Sequence, residues 1–206
     1  NGRTFEIAPT RPGRVTSFNW RPDGKFGFVT ASTEDNKDSW IFSFEPETGE
    51  VRLLWNEHDD AWVGGPSRGT MGWMPDYNRI YFTSEMTGFS QLLTASLDGK
   101  YLTKITQGDF EVSRVSLDTS RNRFIFVSSE GSPYKRHIDA VSFSGGPRTK
   151  LADYSADEDA SFAMAPNGKD FAVVRSKSNR PPELFINDKQ ITTTPTSEWL
   201  SGPWID

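Results

Sequence analysis

The stretch Gly72–Val112, GWMPDYNRIYFTSEMTGFSQLLTASLDGKYLTKITQGDFEV, holds four short strand-like runs, each ending in residues suited to a turn. Gly72–Met74 leads into Pro75-Asp76. Arg79–Ser84 sets Ile80 and Phe82 against Tyr81 and Thr83 before breaking near Gly88. Gln91–Leu97 stops at Asp98-Gly99, and Tyr101–Thr106 stops at Gly108. β-Branched and aromatic residues suit a pleated, half-buried surface, and Asp-Gly is a strong hairpin signal. The stretch therefore predicts a four-stranded antiparallel meander. One such sheet cannot bury both of its faces in water, so copies of it are expected along the chain.

Three further copies are present. The first runs Val15–Trp20, Phe26–Thr30, Trp40–Phe44 and Val51–Trp55, with turns at Pro22-Asp23-Gly24 and Thr48-Gly49. The third runs Ser113–Leu117, Arg123–Ser128, His137–Phe143 and Thr149–Leu151. The fourth runs Ser161–Ala165, Phe171–Arg175, Leu184–Ile186 and Gln190–Thr194. Phe26, Ile80, Phe124 and Phe171 open the second run of each copy at steps of 54, 44 and 47 residues. Gly49, Gly99, Gly146 and Asp188 mark the later hairpin at steps of 50, 47 and 42. Two columns agreeing on a period of about 40–50 residues predict an all-β fold of β-propeller blades, about four repeats of four antiparallel strands. A sandwich or Greek-key barrel, the all-β alternative, would not require equivalent turns at equal spacing. Blades are expected at 15–60, 61–111, 112–159 and 160–195. Residues 1–14, where Phe5 and Ile7 alternate before Pro9 and Pro12, read as the end of a preceding blade and a loop. The chain begins with Asn1, which suits an excised fragment or a processed protein.

A chain of 206 residues with 13% aromatics can fill a β core although its hydrophobic fraction is only 34%. A formal charge of −5, with no run of Lys and Arg, opposes nucleic-acid binding. No cysteine means no disulfide and no thiolate metal site. No apolar run approaches the ~20 residues of a membrane-spanning helix, so no membrane partner is expected.

Chemistry-bearing motifs are few. Gly65-Pro66-Ser67-Arg68-Gly69 spells G-x-S-x-G, yet a hydrolase serine needs a strand before it and a helix after it. Here a strand-like run ending at Pro75 comes next, so the motif reads as a Gly-rich loop between blades, and no catalytic residue is assigned. His58-Asp59-Asp60 sets an imidazole beside two carboxylates, but the other histidine, His137, lies far along the chain, which argues against a metal site. Asp153, Asp157, Glu158 and Asp159 form an acidic loop without EF-hand spacing. No cofactor is expected. Tyr134-Lys135-Arg136-His137 is the one basic-aromatic cluster; Arg136, with Tyr134 beside it, is suited to hold a peptide carboxylate. An exposed strand entrance is the plainer reading of the same residues. Trp199 and Trp204, in an irregular Pro- and Gly-containing tail, are suited to dock on another surface.

Tyr81–Val112 resembles the blade signature of the N-terminal propeller of the prolyl oligopeptidase and dipeptidyl peptidase IV family of serine peptidases. The likeness rests on Tyr81-Phe82-Thr83-Ser84-Glu85, Gly88, Leu97-Asp98-Gly99, Ile105-Thr106 and Gly108-Asp109-Phe110-Glu111-Val112, with Phe110 where the family usually has Trp. It continues through Phe126–His137 and into Pro195–Trp199 and Gly202–Asp206, which resemble the exit from the propeller toward the hydrolase domain. The resemblance implies the C-terminal part of a seven- or eight-bladed propeller, with residues 196–206 as a linker toward a hydrolase domain beyond Asp206. It also implies that the parent protein hydrolyses short peptides with a Ser-Asp-His triad, while this segment is non-catalytic and caps, filters or positions the peptide substrate. The Glu-Glu pair with which dipeptidyl peptidases of the family grip a substrate amino terminus is not visible. Bacterial relatives are often exported, which implies a periplasmic or exported setting over a cytoplasmic one. Two alternatives stand beside this reading: a stand-alone Tol- or WD-repeat-type propeller serving as a protein-interaction platform, and a carbohydrate-active propeller using Glu85, Asp109 and Glu111. A truncated propeller would expose sheet faces and self-associate.

Overall fold

Pro22-Asp23-Gly24, Pro75-Asp76-Tyr77 and Pro166-Asn167-Gly168 close three turns of one design. In each the third residue has positive φ and donates its N–H three residues back: Gly24 to Arg21 (2.8 Å), Tyr77 to Met74 (2.9 Å), Gly168 to Ala165 (2.9 Å). In each the Asx side chain accepts the N–H two residues on, Lys25 at 3.0 Å, Asn78 at 2.9 Å and Lys169 at 2.9 Å. That is the self-bonding that makes Asp and Asn turn formers. The third copy makes the corner with a 3₁₀ turn, Thr119–Arg121, and puts Asn122 in the left-handed region.

The computed structural model describes residues 10–65, 68–154, 159–177, 180–194, 197 and 201. Among them are four antiparallel sheets of four strands, each an up-and-down meander in chain order. The first is β1 (Arg14–Trp20), β2 (Gly27–Ser32), β3 (Asp38–Glu45) and β4 (Glu50–His58). The second is β5 (Met71–Trp73), β6 (Arg79–Ser84), β7 (Gln91–Ser96) and β8 (Leu102–Lys104). The third is β9 (Val112–Asp118), β10 (Arg123–Ser128), β11 (Arg136–Ser142) and β12 (Thr149–Tyr154). The fourth is β13 (Asp159–Met164), β14 (Phe171–Lys177), β15 (Arg180–Ile186) and β16 (Lys189–Gln190). β8 and β16, both exposed outer edges, are shorter than their sequence runs, whereas the edge strand β4 is longer than its run. The segment Asn1–Ile7 lies outside the described residues.

The chain divides between Gln107 and Gly108 into two compact units. In the first, Phe28, Ile41 and Leu54 of one sheet pack on Ile80, Phe82, Leu93, Ala95 and Leu97 of the next. Each large side chain so buried contributes about 1.5–3 kcal/mol. Polar ties cross the same seam as well: Ser43 Oγ donates to the carbonyl of Leu97 (2.8 Å), and the Trp73 indole N–H reaches both the carbonyl of Trp20 and Asn19 Oδ1 (3.0 Å each). β2, central and covered on both faces, is buried throughout, whereas β6 alternates buried Ile80, Phe82 and Ser84 with half-buried neighbours. In the second unit Ile125, Val127, Ile138 and Ala140 pack with Val173, flanked by Phe162, Met164 and Phe171.

Candidate functional site

Within the first unit a cleft of about 550 Å³ opens beside this core. One wall is a single face of the first sheet, and its register explains why polar residues gather there. Cα pairing carries one row across all four strands, Arg14–Ser32–Ser39–Glu57, and a second row on the same face, Ser17–Thr30–Ile41–Trp55. All eight residues line the cleft. Strands stand about 4.8 Å apart, so a guanidinium and a carboxylate anchor the ends of a row about 14 Å long, with two hydroxyls between them. The opposite wall comes from the β4–β5 connection and the second sheet and includes Val63, Arg68, Met71, Phe82, Ser84 and Glu85.

The charged groups are held from both sides. Glu57 Oε1 accepts the backbone N–H of Glu85 (2.8 Å). The Glu85 carboxylate lies where a side chain on Gly65 would begin, 1.7 Å from an ideal Cβ, and Gly65 has a φ of +102°, so glycine is required there twice over. Arg68 donates to Asn36 Oδ1 (3.4 Å). Arg14 and Arg68 balance Glu57 and Glu85. Two polar atoms on the first wall are buried and find no hydrogen-bond partner among the described residues: Ser32 Oγ, on a residue 2% exposed, and Trp55 Nε1. Leaving such a group unsatisfied costs about 1–3 kcal/mol.

Residues singled out from the sequence lie elsewhere. Arg136 opens β11 in the second unit and folds onto its own loop, Nη1 donating to the carbonyls of Pro133 (2.8 Å) and Lys135 (2.9 Å). Tyr134 is 77% exposed on the same loop. His137 is buried, its Nε2 donating to the carbonyl of Glu130 (2.9 Å). His58 pairs across the sheet with Asp38, Nδ1 to Oδ1 at 2.8 Å, and that carboxylate also takes Arg11 at 2.5 Å. The bonds from Asp38 and then Asp60 raise the His58 pKa above its ordinary value. Asp59 turns instead to the N–H groups of Ala61 and Trp62. Among the described residues no group of three or more His, Asp and Glu side chains converges on a metal-sized site. Trp199, Trp204, Ser67, Asp157 and Glu158 lie outside the described residues. After the G-x-S-x-G stretch the chain enters the strand β5.

The sequence matches the dipeptidyl peptidase IV N-terminal region family over residues 2–182. The chain belongs to that family. The dipeptidyl peptidase IV N-terminal fold is also what solved structures show: Porphyromonas gingivalis dipeptidyl peptidase 4 superposes with a TM-score of 0.74 at 15% identity, covering 95% of this chain and 28% of that one. A candidate dipeptidyl aminopeptidase IV from Bacteroides ovatus superposes with a TM-score of 0.72 at 18% identity, covering 90% and 29%. The four meanders are thus β-propeller blades of the dipeptidyl peptidase IV N-terminal kind. An uncharacterized Agrobacterium fabrum protein, Atu1656, is 27% identical over 165 residues, 76% of this chain. The chain spans about half the length of that relative, 53%, and under a third of the solved chains.

The cleft is not foreseeable from local sequence. Arg14, Ser32, Ser39 and Glu57 form no local motif, and only strand register brings them together. The one available signal is the interruption of apolar alternation by hydroxyl residues toward the ends of β2 and β3.

Proposed function

We propose that this chain is a non-catalytic part of the propeller of a prolyl-oligopeptidase or dipeptidyl-peptidase-IV-type serine peptidase, where it caps the active site and filters or positions short peptides. The match of residues 2–182 to the dipeptidyl peptidase IV N-terminal region carries this reading. The bond-breaking Ser-Asp-His triad then belongs to a hydrolase domain of the same polypeptide. A rigid β-cap serves such a site by excluding folded proteins and holding the peptide near its reactive geometry. In this reading Tyr134 and Arg136 meet the peptide, Trp199 and Trp204 dock on the hydrolase domain, and the enzyme works in an exported or periplasmic setting. Exposed Val15, Phe18, Trp20 and Leu53 on the far face of the first sheet suit contact with a neighbouring blade and would drive self-association of the segment alone.

The test uses the full natural polypeptide. A serine-directed fluorophosphonate should label it outside this segment, and it should cleave prolyl or alanyl chromogenic peptides while sparing folded proteins. Excising the propeller should open the site to larger substrates. Absence of both labelling and cleavage would sink the peptidase reading in favour of an interaction platform.

A further inference from the structure

We propose that Glu183 is a positioning residue that clasps the chain where it leaves the fourth sheet, and so fixes how the following domain is set against the propeller. The clasp stands on the geometry of the second unit; its use by a hydrolase domain rests on the peptidase reading above.

The Cα register of β15 with β16 pairs only Phe185 with Gln190 and Ile186 with Lys189. One more backbone bond follows, from the Ile191 N–H to the carbonyl of Leu184 (2.8 Å). The Leu184 N–H then goes not to a carbonyl but to Thr192 Oγ1 (2.9 Å), and the Thr192 carbonyl takes the side-chain amide of Gln190 (2.7 Å). Going back along β15, the next residues are Glu183, Pro182 and Pro181, and a proline has no N–H with which to extend a ladder. A carboxylate takes over at that point. Glu183 Oε2 accepts the Thr192 hydroxyl, and Oε1 accepts the Thr194 N–H (2.5 Å). Glu183 is 2% exposed, whereas residues 191–194 lie at the surface. A fraying edge strand needs no buried charge, and burying one is unfavourable unless hydrogen bonds compensate it. Both oxygens of this carboxylate are engaged by the departing segment. The bonds from Thr192 and Thr194 hold the Glu183 carboxyl below its ordinary pKa against the effect of burial, and the charge of Arg180 on the same strand adds to them. Arg175, the partner of Glu183 on β14, sets its guanidinium carbon 3.7 Å from the centre of the Phe185 ring. Thr194 precedes Pro195, which disfavours a helical turn at Thr194, so a bond to its N–H sets the direction in which the chain departs.

The experiment is amide hydrogen exchange, followed residue by residue by NMR on the 206-residue chain at pH 7. Glu183→Gln should speed exchange at Thr194 about tenfold, as expected when a charge-assisted bond becomes a neutral one, while Val173 on the central strand β14 exchanges at the parental rate. Thr192→Val keeps the side-chain shape, leaves Glu183 in place and should give the same selective loss. An unchanged Thr194, or a loss of protection as large at Val173, overturns the clasp. In the full natural polypeptide Glu183→Gln should raise KM for a prolyl chromogenic peptide severalfold and leave kcat and the rate of fluorophosphonate labelling at their parental values, since the triad is untouched and only the placement of the cap changes. An unchanged KM overturns the positioning role. A parent polypeptide that neither labels nor cleaves sinks the peptidase reading alone, and exchange at Thr194 still decides the clasp.

Discussion

Replacing Asp118 with Asn should destabilise the second unit by about 2 kcal/mol at neutral pH. Asp118 ends β9 directly opposite Arg123, and its side chain is only 3% exposed. Burial alone would raise its pKa. Hydrogen bonds from Ser120 (2.6 Å), Arg123 (2.8 Å) and Arg121 (3.2 Å) outweigh that penalty and hold the carboxyl down from 3.8 to about 2. At about 1.4 kcal/mol per tenfold in proton affinity, that displacement contributes about 2 kcal/mol once the unfolded chain is ionised. The sign follows from the depressed folded value. The contribution is complete above the unfolded pKa of about 4 and is lost as pH falls through the folded value. About half should remain at pH 3. Asn retains the oxygen facing Ser120 but turns N–H donors toward two guanidinium groups, so the charge-dependent part is removed without changing the volume. Urea unfolding of the parent chain and of Asp118→Asn, followed by far-UV circular dichroism at pH 7 and pH 3, measures the difference. A gap below about 0.5 kcal/mol at pH 7 would reduce the cluster to a solvated surface pair and exclude a charge contribution of this size. A full-sized gap that persists unchanged at pH 3 would show that lost shape, not lost charge, is responsible.

Three further outcomes are expected. In Gly27→Ala the new methyl would sit 2.3 Å from Phe44 Cζ, inside the edge-on contact of Trp20 and Phe44 (5.0 Å between ring centroids). It should cost about 1–3 kcal/mol by thermal unfolding, part of which Phe44→Leu should restore. Tyr77→Gly should stabilise the first unit by about 0.5–1 kcal/mol in a urea titration, because a left-handed tyrosine (φ +53°) carries strain that glycine lacks, although glycine's greater freedom when unfolded offsets part of the gain. His58→Gln should lower the melting temperature most below about pH 6.5, where both folded and unfolded imidazoles are charged. Because Asp38 and Asp60 raise the folded pKa, the difference should shrink as pH rises through that value; a constant difference from pH 5.5 to about pH 9 would exclude the ion pair as its source.

The blades are legible in the sequence because their determinants are local. On β6 the alternation of Ile80 and Phe82 with Tyr81 and Thr83 is the observed burial pattern, and Asp-Gly or its equivalents fall where chain direction reverses. Tyr77 is not legible as a turn residue in the left-handed region, since a bulky side chain disfavours it and its geometry is held by the bond from its N–H to the carbonyl of Met74. Gly27 gives no local signal either: its role is to make room for Phe44, a partner 17 positions away fixed by the pairing of β2 with β3. His58 is an imidazole among carboxylates, as its sequence neighbours suggest, but its principal partner is Asp38 across the sheet and not the adjacent Asp59.

The cleft and the core are two ends of one surface. Along β2 the residues facing the second sheet are Phe28, Thr30 and Ser32; along β3 the matching series is Ser43, Ile41 and Ser39. Phe28 and Ile41 join the apolar cluster with Ile80, Phe82 and Leu93, whereas Ser32 and Ser39 join Arg14 and Glu57 at the cleft. Alternation along a strand decides which side chains face a neighbouring sheet. The change from aromatic and aliphatic to hydroxyl side chains along that same face decides where the sheet pair is held by a dry core and where it offers polar groups. Ser32→Ala should therefore leave unfolding nearly unchanged or slightly improved, since it removes an unsatisfied buried hydroxyl outside the dry core. A Ser32→Ala chain that is clearly destabilised would mean that the hydroxyl supports the fold, and the separation between core and cleft argued from the two rows would fail.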